Sequence, residues 1–250
     1  MILRPHASLL FSVHNLSLTR RQAFMEGVRM LLPMLLGVFP FGVIYGVIAL
    51  QNGIEPLPAM LMSSILFAGA SQFLLAQIVG LGAPALITFA AVGMLNARHA
   101  LYSASVAPYL SHLPRRWKVV LAYLLTDEAY AAAISRLMQR PTDANVHWVL
   151  FGSGLTLWTG WQFATLGGIV LGSELPSGLD LDFALPLTFI AIVVPMIKTR
   201  SLFGAALVAG TSAVIFADLP YRLSLLLAAV AGLIAYGLIN HQGFGAAHGR

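Results

Sequence analysis

The 250-residue chain is 58% hydrophobic and only 9% charged, with mean hydropathy +0.84, against about 25% charged residues in a soluble domain. So few charges cannot cover a water-facing surface, and the composition fits an all-α, polytopic membrane helix bundle with lipid as its solvent; the length allows roughly seven to eight spans of about 20 residues. The net charge of +5 comes from small basic groups between apolar runs, a pattern of helix orientation rather than of nucleic-acid binding, and the lack of cysteine excludes disulfides, thiol catalysis and cysteine metal sites.

Residues 1–22 read as a polar cytoplasmic tail with Arg4, Arg20 and Arg21. The stretch Thr19-Arg20-Arg21-Gln22-Ala23-Phe24 is loosely similar to a twin-arginine export signal, but the apolar run behind it is long enough to span and many more follow. Eight candidate spans come next, at 30–50, 58–80, 83–110, 119–139, 146–171, 183–197, 201–217 and 222–240, with seven as the alternative count. They form one transmembrane domain over 23–240, followed by a polar tail at 241–250. His241 and His248 in that tail read as a polar end, and no metal or cofactor is expected.

The first span carries Pro33, Gly37, Pro40, Gly42 and Gly46. Proline removes a backbone donor and crowds the preceding turn, so a kinked or partly unwound helix is expected, with Pro40 in a pathway wall. The pairs Gly42/Gly46 and Gly168/Gly172 fit close helix packing. The third span is longer than needed and polar in its middle, so it is expected to be broken. With the N-terminus inside and eight spans, nine basic residues fall inside and four outside: Arg115, Arg116, Lys118 and Arg222, with Arg98 left within a span. The basic run after Pro114 is the violation of the positive-inside rule.

Charges at bilayer depth are costly, about 2.5–3.5 kcal/mol each on insertion scales, so three polar groups stand out. Phe67-Ala68-Gly69-Ala70-Ser71-Gln72-Phe73 suggests a thin or unwound point, where Gly69, Ser71 and Gln72 offer hydrogen bonds; glue between helices is the alternative for Gln72. In Asn96-Ala97-Arg98-His99-Ala100-Leu101-Tyr102-Ser103, helical spacing puts Asn96, His99 and Ser103 on one face and Arg98, Tyr102 and Ser105 on a neighbouring one. In Leu125-Thr126-Asp127-Glu128-Ala129-Tyr130, the two acids lie about 100° apart around a helix. They cannot both face one cavity squarely, and Asp127 is the choice for the interior. Such groups in oily walls suit a small solute with both charges and an apolar tail. Arg98 or helix amides would take its carboxylate, and Asp127 or carbonyls its ammonium. An acid that changes protonation would link transport to protons.

At these residues the chain resembles the AzlC-type branched-chain amino acid permease family. The resemblance is carried by Glu26-Gly27, Pro33, Gly37 and Pro40-Phe41-Gly42, by the three polar groups above, and by Leu181-Asp182-Phe183-Ala184-Leu185-Pro186-Leu187-Thr188-Phe189. It covers about residues 24–240, in the family's order. It implies a secondary exporter of branched-chain or other hydrophobic amino acids in a bacterial inner membrane, with a small hydrophobic partner subunit of the AzlD type. On that resemblance 23–240 is a single transport domain, and no enzyme is expected. A serine hydrolase built on Ser153 with His99 or His147 lacks a nucleophile-elbow spacing. The alternative is a carrier or channel for another small organic solute.

Overall fold

The computed structural model describes residues 18–174, 197, 199–220 and 223–247. The expected span at 183–197, except its last residue, lies outside them, as do the motif at 181–189, most of the N-terminal tail and the last three residues. The described residues form helices and no strand: α1 Arg20–Gln51, α2 Pro56–Ile65, α3 Gly69–Gly80, α4 Ala85–Leu110, α5 Arg115–Tyr123, α6 Asp127–Gln139, α7 His147–Glu174, α8 Arg200–Ile215 and α9 Leu223–Ala247. Local sequence sets several starts. Thr19 and Gln22 form a capping box on α1, and the Thr126 and Thr199 side chains cap α6 and α8. Pro56 begins α2, where its missing N–H costs nothing.

The spine is a parallel pair, α1 and α7, in contact along their whole length. Gly27 lies on Val149 and Ser153, Gly42 on Trp161 and Ala164, Gly46 on Thr165 to Ile169, and Gly172 on Val47 and Leu50. A methyl group at Gly27, Gly46, Gly152 or Gly168 would run into the other helix's backbone. The glycines therefore set how closely the helices approach, the use expected for small residues in membrane helices.

Two hairpins close on this spine from opposite ends. At the far end, where α1 finishes, Gly53 turns with φ +77° and α2 runs inward to Leu66–Ala68. There the chain reverses and α3 returns. Tyr45 touches both arms: its hydroxyl donates to the Ala59 carbonyl at 3.0 Å, and its ring lies 5.9 Å from that of Phe73. Gly80, at the end of α3, packs on Asn52, beside the point from which α2 set out. Helix α4 then travels to the near end, where α1 starts. It passes Leu74 and Ile78 with Ala91, accepts the Ser71 hydroxyl on Asn96 at 2.6 Å, and brings His112 within 6.3 Å of His147. From the near end α5 runs inward. Trp117 lies 5.3 Å from His147 and 4.9 Å from Trp148, and Leu124 packs on Gly154. The chain reverses again at Leu124–Thr126, and α6 returns, pairing Arg136 with Glu26. Its exit loop is tied to the start of α1. The Leu18 N–H donates to Asp143 at 3.0 Å, and the Asn145 amide donates to the Leu18 carbonyl at 2.8 Å.

Thus α1–α2–α3 and α4–α5–α6 follow the same path in opposite directions. Their boundaries repeat with an offset of 58 or 59 residues: Gln51 and Leu110, Pro56 and Arg115, Gly69 and Asp127, Gly80 and Gln139. The repeat lies within the first 139 residues.

Several expectations are corrected. The segments 58–80 and 119–139 do not run straight through; each reverses midway. Arg115, Arg116 and Lys118 therefore stand at the end that carries Arg20, Arg21, Arg136 and Arg140, and the apparent charge violation disappears. Helix α4 is unbroken, because Asn96, Arg98 and Ser105 find partners in Ser71, Asp127 and Tyr130 and its backbone need not open. Helix α1 is continuous past Pro33 and Pro40, both of which face outward.

The reversal before α3 is stabilised by Gln72, which is fully buried. Its amide donates to the carbonyls of Met62, Ser63 and Leu66 at 3.3, 3.2 and 2.7 Å, at the end of α2. Its oxygen accepts from the Trp161 indole at 2.9 Å. Helices α8 and α9 pack mainly on each other, with Gly204 on Ile239 and Gly232 on Ala205 and Ala209. Helix α1 and Leu223–Asn240 of α9 have apolar windows of mean hydropathy 2.1 and 2.0, long enough to cross a membrane. Outward faces are oily, with Leu36, Leu86 and Phe89 more than three-quarters exposed.

Two outcomes follow. The chain is free of cysteine, so single cysteines at Ser111 and Ala144 report topology directly; a membrane-impermeant maleimide labels both from the same side, and a cysteine at Gly53 from the other. Gln72→Leu lowers thermal stability by about 1–3 kcal/mol, the cost of leaving the buried Trp161 indole N–H unpaired, as read by unfolding in detergent.

Candidate functional site

The two hairpin tips meet against the middle of the α1–α7 spine and enclose a cavity of about 110 Å³. This is below the roughly 300–1,000 Å³ of pockets that hold drug-sized ligands. One wall is apolar: Val38 and Phe41 from α1, Leu157 and Trp161 from α7, and Phe67 from the first tip. The first tip adds Ala68, Gly69 and Ala70, α4 adds Arg98 and His99, and the second tip adds Thr126, Asp127 and Glu128. The tips also touch each other. The Tyr123 hydroxyl donates to the Ser64 carbonyl and accepts from the Trp158 indole at 2.7 Å, and the Phe67 and Tyr123 rings lie 6.0 Å apart.

The charged groups sit where helix ends make charge tolerable. Asp127 and Glu128 open α6, so its positive end faces them. Arg98 Nη1 lies 3.0 Å from Asp127 Oδ2, and His99 Nε2 lies 3.9 Å from Asp127 Oδ1. The pair is incompletely satisfied: Arg98 Nε and Asp127 Oδ1 are buried without a hydrogen-bond partner. Helix α3 also begins at the cavity, with Ala68 at its cap position and no side-chain cap. Its first N–H groups have no intrahelical acceptor, and Gly69 and Ala70 leave them uncovered. The cavity is therefore flanked by an amide-rich tip and an acidic tip, with Arg98 between.

Of the residues proposed from sequence, Gly69, Arg98, His99, Asp127 and Glu128 line the cavity. Both acids do so, against the expectation that one must turn away. They lie at a helix start, at a chain reversal, and not on the side of a continuous helix. Ser71 and Asn96 bond to each other beside it. Tyr102 stacks on Tyr130, ring centroids 4.7 Å apart, one turn along α4. Gln72 is one layer back, behind Trp161, and acts on the first tip's backbone. Pro40 is exposed, and its neighbour Phe41 takes the place expected for it. Sequence reasoning missed Trp161, Leu157 and Val38, which look like ordinary apolar positions. It also passed over Thr126. Thr126-Asp127-Glu128 has the make-up of a helix start, a capping threonine followed by acids in the first turn, and that signal marks the second reversal. Among the described residues no group of three or more histidine or acidic side chains could hold a metal ion.

The AzlC protein family model matches residues 33–175, which include both hairpins, α7 and α1 from Pro33 onward. The inner membrane protein YgaZ of Escherichia coli is 30% identical over 205 residues, 79% of this chain and 83% of the relative. An uncharacterized membrane protein of Archaeoglobus fulgidus is 30% identical over 189 residues, 74% and 80% of the two chains. The branched-chain amino acid transport protein AzlC of Bacillus subtilis is 25% identical over 174 residues, 69% and 67% of the two. No solved structure matches at a significant level. With more than half its length matched by the family model, the all-helical chain belongs to the AzlC family, whose relatives are membrane proteins.

Proposed function

We propose that the protein is a secondary carrier that exports branched-chain or other hydrophobic amino acids, the cavity between the hairpin tips being its substrate site. The observation that carries this reading is the charge arrangement at the tips. A zwitterion needs donors for its carboxylate and an acceptor for its ammonium, and one small cavity offers both: the first amides of α3 on one side and Asp127 and Glu128 on the other, with Arg98 between them and paired to Asp127. The Phe41, Leu157 and Trp161 wall suits a branched aliphatic side chain and gives a second charge nothing to pair with. Ser71 and Asn96 brace the amide-rich tip. The name of the Bacillus subtilis relative supports the substrate class.

The inverted pair of hairpins favours a carrier over a channel. Inverted repeats with sites at discontinuous helices are the recurring plan of alternating-access transporters. Each hairpin enters from one end and stops at the site, so each can act as the gate for its own side. Eight basic residues of the described 18–174, all but Arg98, gather at the end where α1 starts. The positive-inside rule makes that end cytoplasmic, with Glu55 facing the other side. The location is then a bacterial inner membrane, crossed several times by residues 23–240. A small AzlD-type subunit would cover part of the oily exterior, and protons are the expected coupling ion.

Export of radiolabelled leucine from preloaded cells tests the reading, with and without the small subunit. Export and leucine counterflow are expected to fall tenfold or more, on the order of the cost of unpairing a charge, in both Asp127→Asn and Arg98→Gln, with protein levels unchanged. Full export in both variants would exclude this cavity as the site, and passive flux without counterflow would indicate a channel.

A further inference from the structure

The two neighbouring acids differ in what holds them. Asp127 is engaged by Arg98 at 3.0 Å, with His99 3.9 Å away. Glu128 lines the same cavity, and among the described residues no cation stands within ion-pair distance of it. The titratable and charged groups that act on it are Asp127 beside it and Arg98 and Tyr102 on α4. Helix α4 supplies Arg98 and His99, both directed to Asp127, while α1 and α7 supply only apolar side chains to the cavity. The Asp127 carboxylate is already engaged by the Arg98 guanidinium at 3.0 Å, so a ligand reaching it must compete with that pair. Glu128 can gain and lose a proton without breaking an ion pair; its carboxylate is held by the Thr126 hydroxyl and its own backbone N–H, and it faces the space that a substrate would fill.

We propose that Glu128 is the coupling site of the carrier, its carboxylate holding either a proton or the ammonium of a bound amino acid, never both. The inference rests on the reading of the cavity as an amino-acid site. An ammonium arriving as NH₃⁺ needs the ionised carboxylate, so the glutamic acid first gives its proton to the water on the side to which the cavity is open. After the cavity reopens opposite, a proton from that side displaces the ammonium. No bond other than Glu128 O–H is made or broken, and each amino acid moved one way sends one proton the other. Two ligands that exclude each other from one group are negatively linked, and exchange is obligatory when the cavity switches sides only with one of them bound, with no second ion site required. Asp127 and Arg98 then serve to clamp and orient.

The test uses purified full-length protein in weakly buffered detergent solution with a pH-indicator dye, and leucine binding followed in parallel by calorimetry. Wild-type protein is expected to release about one proton per leucine bound in the range where the carboxyl is protonated, with affinity falling roughly tenfold per pH unit below its titration. Glu128→Gln is expected to bind leucine more weakly, with no release and no pH dependence, and Glu128→Asp to restore release. 4-Methylpentanoate, which has leucine's skeleton without the ammonium, binds the wild type without expelling a proton. Unchanged release in Glu128→Gln, or wild-type affinity independent of pH between about 4 and 8, would overturn the assignment. If Glu128→Gln binds nothing, release by Glu128→Asp with a displaced pH dependence still supports it, and binding by Glu128→Asp without release overturns it. Failure of wild-type protein to bind leucine at any pH would instead remove the amino-acid site itself.

Discussion

A backbone that reverses direction inside an oily bundle leaves carbonyls and amides without helical partners, and these must find others there, because lipid offers none. Two such reversals, at Leu66–Ala68 and Leu124–Thr126, shape the protein. The first is held from the carbonyl side: Gln72 reaches back to three carbonyls of the preceding arm while Trp161 fixes the amide from α7. The second is held from the amide side, by the Thr126 cap and the acids behind it. Tyr123 joins them by donating to Ser64, which would otherwise present a free carbonyl at the tip. The spine permits this because its glycines bring α1 and α7 close enough to form one continuous wall.

Function grows from what the reversals leave over. At the first tip the amides of α3 have no side-chain cap, and at the second two carboxylates stand at a helix start. These are opposite solutions of one local problem, at equivalent points of the repeat (Gly69 and Asp127). They give the cavity a polarity that a symmetric pair would lack. Arg98, on α4 between the tips, lies on the line of that polarity and commits itself to one acid, leaving the other open. Binding, orientation and proton exchange then fall to different side chains within one small space.

Much of this was legible in the residues. The composition announced a membrane bundle, the glycine pairs their close packing, and Arg98, His99, Asp127 and Glu128 were visible as costly groups in oily runs. The reversals were harder to see. Each hairpin spends about as many apolar residues as one full crossing, since two arms to the middle and back equal one passage in length, so hydropathy reads both as spans. The cues against that were local: Thr126-Asp127-Glu128 as a helix start, and the Pro114-Arg115-Arg116 run on the wrong side of the charge count. The break expected in α4 did not occur, because its polar residues are partnered from outside the helix, which only tertiary contacts reveal. Gln72 drew attention for its polarity, but its partners are backbone carbonyls of its own hairpin, so it supports the site from behind Trp161.

The entry and return of the first hairpin at one end of the bundle is the claim that the account depends on most, and a single cross-link tests it. Cysteines at Asn52 and Gly80, introduced in the otherwise cysteine-free chain, lie side by side if α2 and α3 fold back, within reach of a disulfide whose β-carbons stand about 4 Å apart. The account predicts rapid oxidation to an intramolecular disulfide in native membranes, seen as a reducible mobility shift after protease cleavage between the two positions. If residues 56–80 instead crossed the bilayer, the two cysteines would stand about 30 Å apart on opposite faces; no disulfide would form, and the pair would take an impermeant label from opposite sides.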